Sequence, residues 1–315
     1  MKKIIIKEND SGQRIDKFLL KTFKNLPQSL MYKYIRKKRI KINDKRCDIS
    51  TKLSNGDEIS LYINDELLTP SIKQYDFLNA PSKINIVYED DNILLLNKKP
   101  GLIVHQDDTY HFDSLIARVK HYLYDKGEYN PDKENSFVPS LVNRIDRNTG
   151  GIVIAAKNAE ALRILNQKMK DRELEKKYLC VVHGILKEKS AVLKDFLEKN
   201  ESQNRVYILK NKTPNSKTII TKYQVLKEKN NLSLLEVTLL TGRTHQIRAH
   251  MAYIGHPLMG DGKYGTNKIN KNSGYKWQAL YSYKLKFNFT KPSGSLEYLN
   301  GKEFKVKDIW FLDKF

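Results

Sequence analysis

The stretch Val142-Asn143-Arg144-Ile145-Asp146-Arg147-Asn148-Thr149-Gly150-Gly151-Ile152-Val153-Ile154-Ala155-Ala156-Lys157 decides how this chain folds and where its chemistry lies. Ile152 to Ala156 is short, uninterrupted and rich in β-branched residues, the pattern of a buried strand. Gly150-Gly151 ahead of it allow a sharp turn and a close backbone approach. Asp146, set between two arginines, falls on a loop at the mouth of that strand, where rigid scaffolds present reactive groups. A plain surface loop carrying two Arg–Asp pairs has the same local sequence, and this stretch alone leaves both readings open.

Composition narrows the choice. A chain of 315 residues is long enough for two domains, one with a sizeable core. Lys and Arg number 57 against 36 Asp and Glu, a formal charge of +21 that calls for a polyanion such as nucleic acid. No apolar run approaches the length of a spanning helix, and no long basic amphipathic helix marks a membrane surface. The apolar run inside Met1–Lys7 is too short for a signal peptide. A cytoplasmic location is therefore expected, with Cys47 and Cys180 reduced.

Outward from the central stretch toward the N-terminus, two strands are expected at Ile84–Tyr88 and Ile93–Asn97. The basic turn Asn97-Lys98-Lys99-Pro100-Gly101 follows them. Asp113 to Tyr124 has the spacing of a capped amphipathic helix, and Tyr124 to Phe137 is polar and punctuated enough for a mobile surface loop. Thr69 to Pro81, with two prolines, has the character of a linker. Before it, Gln13–Leu26 and Leu30–Lys37 are helical, the second with Ser29 as its cap. Strands at Ile40–Ile42 and Glu58–Ile63 complete a small unit. Between Lys33 and Arg46 stand Lys33, Arg36, Lys37, Lys38, Arg39, Lys41, Lys45 and Arg46 with Asp44 as the only acid, an array that repels itself without an anion.

Toward the C-terminus, Asn158 caps a helix, and strands follow at Lys176–Gly184, Thr218–Val225 and Leu232–Leu240. Thr241 to His250 opens a helix reaching Tyr253, and Leu280–Phe289 is a late strand. Runs of strands with few helices indicate an α+β domain around a mostly antiparallel sheet. His245 and His250 are five apart, one beyond the spacing that puts two ligands on one helical face, and no metal site is expected. Gly260-x-Gly-x-x-Gly neither follows a strand nor opens a clear helix, so it is taken as a turn. No nucleophile elbow is present.

Three motifs in order resemble the RluA-type pseudouridine synthases. Arg144, Asp146, Thr149, Gly151 and Lys157 match the family's His-Arg-Leu-Asp-x-x-Thr-Ser-Gly motif and its strand, with Asn143 for His, Ile145 for Leu and Gly150 for Ser. Asn97-Lys98 and Gly101 resemble its opening turn. Thr241-Gly242-Arg243-Thr244-His245-Gln246-Ile247-Arg248-Ala249-His250 matches its third motif nearly throughout. Arg14, Asp16, Lys17, Phe18, Leu19, Asn43, Gly56 and Asp57 resemble the small RNA-binding module shared with a small-subunit ribosomal protein.

The resemblance implies a pseudouridine synthase fold, α+β with a mostly antiparallel mixed sheet, preceded by a small α/β RNA-binding module. The expected division is residues 1–70 for the module, 71–83 for the linker and 84–315 for the catalytic domain. It implies cofactor-free isomerisation of uridine, with Asp146 engaging the nucleoside, Arg248 keeping that acid ionised, and Tyr178 stacking on or relaying a proton from the uracil. Arg144 would fill the space of a flipped base. Lys98, His245, Arg36, Lys37, Lys38 and Arg39 would contact RNA. Ribosomal large-subunit RNA is the expected substrate and the protein a monomer. Transfer RNA is the alternative substrate, and a non-catalytic RNA-binding assembly factor is the alternative function.

Overall fold

The computed structural model describes residues 1–69, 75–106, 112–271 and 273–315. In the first 69 residues, strands β1 (Lys2–Ile5), β2 (Ile40–Ile42), β3 (Lys45–Arg46) and β4 (Glu58–Leu61) form an antiparallel sheet in the order β1-β4-β2-β3. Helices α1 (Ile15–Thr22) and α2 (Gln28–Arg36) bury Ile15, Phe18, Leu19, Met31 and Ile35 against it, a core closed by Ile40, Ile59 and Leu61. Pro27, not Ser29, sits at the start of α2. Ser29 lies inside the first turn, and no side chain caps this helix.

The rest of the chain is organised by an eleven-stranded sheet. Its strands are β5 (Ile86–Glu89), β6 (Ile93–Lys98), β7 (Ser140–Leu141), β8 (Gly150–Ala156), β9 (Leu174–His183), β10 (Ser190–Asn200), β11 (Arg205–Leu209), β12 (Lys217–Lys229), β13 (Leu232–Leu239), β14 (Leu280–Phe287) and β15 (Glu303–Lys305). The main order is β11-β10-β12-β13-β9-β14-β8-β6-β5, with β15 beside β14 and β7 beside β8. Only the β14–β8 pairing is parallel among these, as a mostly antiparallel mixed sheet requires.

Every residue of β8 is buried, because the sheet is covered on both faces. Side chains alternate across a strand. Val153 and Ala155 thus join Leu94, Leu96 and Cys180 in one core, while Ile152 and Ile154 join Ile93, Leu95 and Val181 in the other. Helices α3 (Leu115–Asp125) and α5 (Gln246–Tyr253) cover the first face through Leu115, Val119, Ile247 and Met251. Helix α4 (Ala159–Lys170) covers the second through Ala161 and Leu165. Asn158 caps α4 as expected, its Oδ1 accepting from the Ala161 amide at 2.8 Å, and Ser114 caps α3, its Oγ accepting from the Ala117 amide at 3.3 Å.

Two expectations are corrected here. The stretch from Tyr124 to Phe137 is not a free surface loop. Tyr129 and Phe137 are buried, and Asn135 Nδ2 and Ser136 Oγ donate to Asp10 at 2.7 and 2.6 Å, seating the N-terminal unit. Asn9 Oδ1 also accepts from the amide of Ala159 at the start of α4 (3.1 Å). The expected linker, 71–83, is not unattached over its described part. Phe77 and Ala80 pack into the larger core beside α3, and residues 70–74 lie outside the described residues. Strands β10 and β11 have no clear signature in the sequence. In β10 the apolar residues come in pairs, Val192-Leu193 and Phe196-Leu197, separated by the charged pairs Lys194-Asp195 and Glu198-Lys199, which breaks the alternation of a strand, and β11 is only five residues long.

Candidate active site

The loop between β7 and β8 is held in shape from three sides. Asn143, where the family motif has His, pairs its Oδ1 with the Ile154 amide at 2.8 Å and so continues the ladder that β7 begins. Gly150 is required because a Cβ there would meet the Tyr281 ring at 2.4 Å; the tyrosine occupies the space that the motif's Ser would need. Gly151 adopts φ +115° with the Ser282 carbonyl at 2.2 Å from an added Cβ, so only glycine fits. Both departures from the motif therefore have partners in this chain.

Lys98 sits beneath this loop and not on its surface. It is 1% exposed, and its Nζ donates to the carbonyls of Leu102 (2.8 Å), Arg147 (2.8 Å) and Lys99 (3.1 Å). Burial pulls its ammonium down to about 7, opposed by the charge of Asp146. The expectation that Lys98 contacts RNA phosphates is thus overturned: its three donors are spent on pinning the backbone on either side of the acid loop.

Asp146 stays accessible, with 24% of its side chain exposed. Its Oδ2 accepts from Arg248 Nη1 at 2.8 Å, while Oδ1 has no hydrogen bond among the described residues. Arg248 reaches it from α5 and is itself buried. Its remaining donors, Nε and Nη2, clamp Asp261 at 2.7 and 2.9 Å. Burial alone would depress the guanidinium, but the carboxylates of Asp261 and Asp146 outweigh it and raise it above its ordinary value. Burial would equally raise the Asp261 carboxyl; Arg248 and the amides of Lys263 and Tyr264 hold it low. The three charges form a fixed chain, Asp261–Arg248–Asp146, that ends at the one oxygen left free. Asp261 escaped sequence reasoning because the Gly260–Gly265 loop resembles any turn; a single acid between Gly260 and Gly262 was its only mark.

Tyr178, on β9, is buried in the first core. Burial pushes its phenol up to about 12, aided by the charge of Asp146 and opposed by the hydroxyl of Ser282. It carries its proton at neutral pH, so its oxygen acts as a donor or relay. His245 begins α5 in the left-handed region (φ 53°), with Nε2 3.9 Å from Asp146 and Nδ1 2.9 Å from the Tyr264 hydroxyl. Burial lowers its pKa, opposed by Asp146 and reinforced by Arg248. It belongs to the acid's surroundings more than to a phosphate. Arg144 is exposed next to the acid and has no hydrogen bond or ion pair among the described residues. Arg36, Lys37, Lys38 and Arg39 are exposed at the end of α2, away from these groups in the chain and in the other hydrophobic unit. No His, Cys, Asp and Glu cluster among the described residues has the makings of a metal site.

The sequence matches the RNA pseudouridylate synthase family over residues 92–253 and the S4 domain over residues 13–59. It is 37% identical to an uncharacterized RNA pseudouridine synthase of Mycoplasma capricolum, covering 98% of this chain and 99% of that one. It is 32% identical to ribosomal large subunit pseudouridine synthase C of Vibrio parahaemolyticus, covering 91% and 88%. In fold it resembles human RNA pseudouridylate synthase domain containing 4, at a TM-score of 0.57 and 18% identity over 73% of this chain and 90% of that one.

Proposed function

Since this chain belongs to the RNA pseudouridylate synthase family, an isomerase with an N-terminal S4 domain, we propose that its substrate is large-subunit ribosomal RNA and that Asp146 carries the reaction. Pseudouridine formation breaks the bond from ribose to uracil N1 and rejoins the base through C5; C5 gives up its proton and the freed N1 takes one up, so the composition is unchanged. A carboxylate that is ionised, accessible and fixed is the group such a step needs. The observation that carries the assignment is the Asp261–Arg248–Asp146 chain, which fixes one oxygen of Asp146 and leaves Oδ1 to the nucleoside.

Preorganised charge of this sort stabilises the transition state without reorganisation, and it is strongest in a water-poor mouth. Tyr178 would face the detached uracil, donating through its hydroxyl or relaying the C5 proton, and Arg144 would occupy the gap left by the flipped nucleotide. Residues 1–69, with Arg36, Lys37, Lys38 and Arg39 exposed, would hold phosphates at a distance from the mouth. The protein would work in the cytoplasm, as a monomer.

Carbodiimide-based sequencing of RNA from a strain lacking the chain tests the substrate. Loss of pseudouridine marks from large-subunit ribosomal RNA is the expected result. Loss confined to transfer RNA would move the substrate there, and unchanged marks with defective ribosomes would favour an assembly role.

A further inference from the structure

Strand β11 is the outermost strand of the large sheet on its side. It packs inward through Val206, whose partners are Leu197, Ile219 and Ala249 of α5, the helix that carries Arg248. Alternation places Arg205 and Tyr207 off that packed face. Tyr207 is 46% exposed, a large ring left in water, yet it is held: its hydroxyl donates to Gln203 at 2.7 Å and the Arg205 guanidinium lies 6.0 Å from its centroid. Arg205 has no carboxylate within ion-pair distance among the described residues.

The same guanidinium reaches Tyr264, at 5.2 Å from that ring, and Arg248 lies 5.2 Å from the same ring. Tyr264 also accepts from the Val206 amide (3.0 Å) and meets His245. A held aromatic ring and an unneutralised guanidinium thus stand one ring away from Arg248, the residue that holds Asp146.

A partner for this edge must be both anionic and flat. Single-stranded RNA is both, because its bases stack on exposed aromatics and Arg planes while its phosphates seek cations. We propose that Arg205 and Tyr207 form a stacking ledge for an unpaired nucleotide flanking the uridine that enters the mouth. This rests on the synthase reading given above.

The test uses the full chain and three variants, Tyr207→Ala, Tyr207→Phe and Arg205→Gln. Steady-state tritium release is measured from a large-subunit ribosomal RNA transcript labelled at uridine C5. Anisotropy is measured in parallel with a fluorescein-labelled uridine 12-mer, single-stranded or paired with an adenosine 12-mer. Tyr207→Ala is expected to raise KM about tenfold with kcat within about twofold, as loss of one stacked base predicts. Tyr207→Phe should behave as the parent. Arg205→Gln should also raise KM and make the salt dependence shallower by about 0.7 in log–log slope, as for one phosphate left without its cation. The single-stranded 12-mer should weaken in Tyr207→Ala and the duplex should not.

Unchanged KM and single-strand affinity in Tyr207→Ala, or equal loss on both 12-mers, would overturn the ledge. So would a concentration-dependent dimer of the parent that Tyr207→Ala dissolves, since the edge would then serve a second copy. If the parent releases no tritium, the synthase reading fails, and the 12-mer comparison still decides whether the ledge binds single strands.

Discussion

The mouth around Asp146 and the end of helix α2 both depend on basic side chains, but they use them in opposite ways. At the mouth, Arg248 and Lys98 are buried, and every donor described for them is spent within the protein: on two carboxylates for one, on three carbonyls for the other. At α2, Arg36, Lys37, Lys38 and Arg39 are exposed and make no ion pair among the described residues. A buried cation fixes geometry, and removing it strands its partners. An exposed one contributes a weak, salt-screened attraction that only accumulates with number.

Arg248→Ala challenges this contrast most severely. It leaves Asp261 buried without its counter-charge, which costs about 3–5 kcal/mol of stability. It also releases Asp146, and a loss of about 10³ in turnover is expected, as when a preorganised charged donor is removed. Arg248→Lys should not restore activity, because one ammonium cannot replace the fork that spans two carboxylates. Thermal melts and tritium release check both parts.

Tyr178→Phe keeps the ring and removes the hydroxyl. Turnover should fall about 10² while RNA affinity stays within about twofold, the usual size of a lost proton-transfer group. Because burial pushes the phenol up to about 12, it keeps its proton between about pH 6 and 9, and no limb from this group should appear in the rate profile there.

Lys98→Met should cost about 3 kcal/mol in denaturant melts, since three carbonyls lose their donor. The salt dependence of RNA binding should not change. In the parent, the depressed ammonium makes the sign of the pH effect definite. Between about 7 and the unfolded value of 10.5, the unfolded chain holds a proton that folded Lys98 has released, so its contribution to stability rises with pH through that window. The Met variant should lack that rise.

The smallest effects belong to α2. Replacing Lys37 and Lys38 by Gln should weaken RNA binding only several-fold and reduce the log–log salt slope by about 0.7–0.9 for each phosphate no longer neutralised, with kcat unchanged. A large fall in kcat from this pair would erase the distinction between the two regions.

Much of this division was legible in the sequence. The β8 strand, its preceding acid loop and the helix carrying Arg248 are local patterns, and locality is what periodicity and motif spacing record. The burial of Lys98 was not legible, because a lysine in a Lys-Lys-Pro-Gly turn has the same composition whether it faces water or a ring of carbonyls. Asp261 was invisible for a related reason: its meaning comes from Arg248, 13 residues away in the chain. Strand β10 pairs its apolar and charged residues instead of alternating them, and β11 is too short to show a period, so the exposed Tyr207 had no local signal either.

If the free oxygen of Asp146 performs the isomerisation while the basic surfaces only hold RNA, one substitution separates the two roles. Asp146→Asn keeps the shape of the side chain and removes its charge. Tritium release from RNA labelled at uridine C5 is then measured beside RNA affinity. Release should fall to background with affinity within about threefold of the parent. Release at the parent rate would return Asp146 to an ordinary loop residue and leave the reaction without its carboxylate.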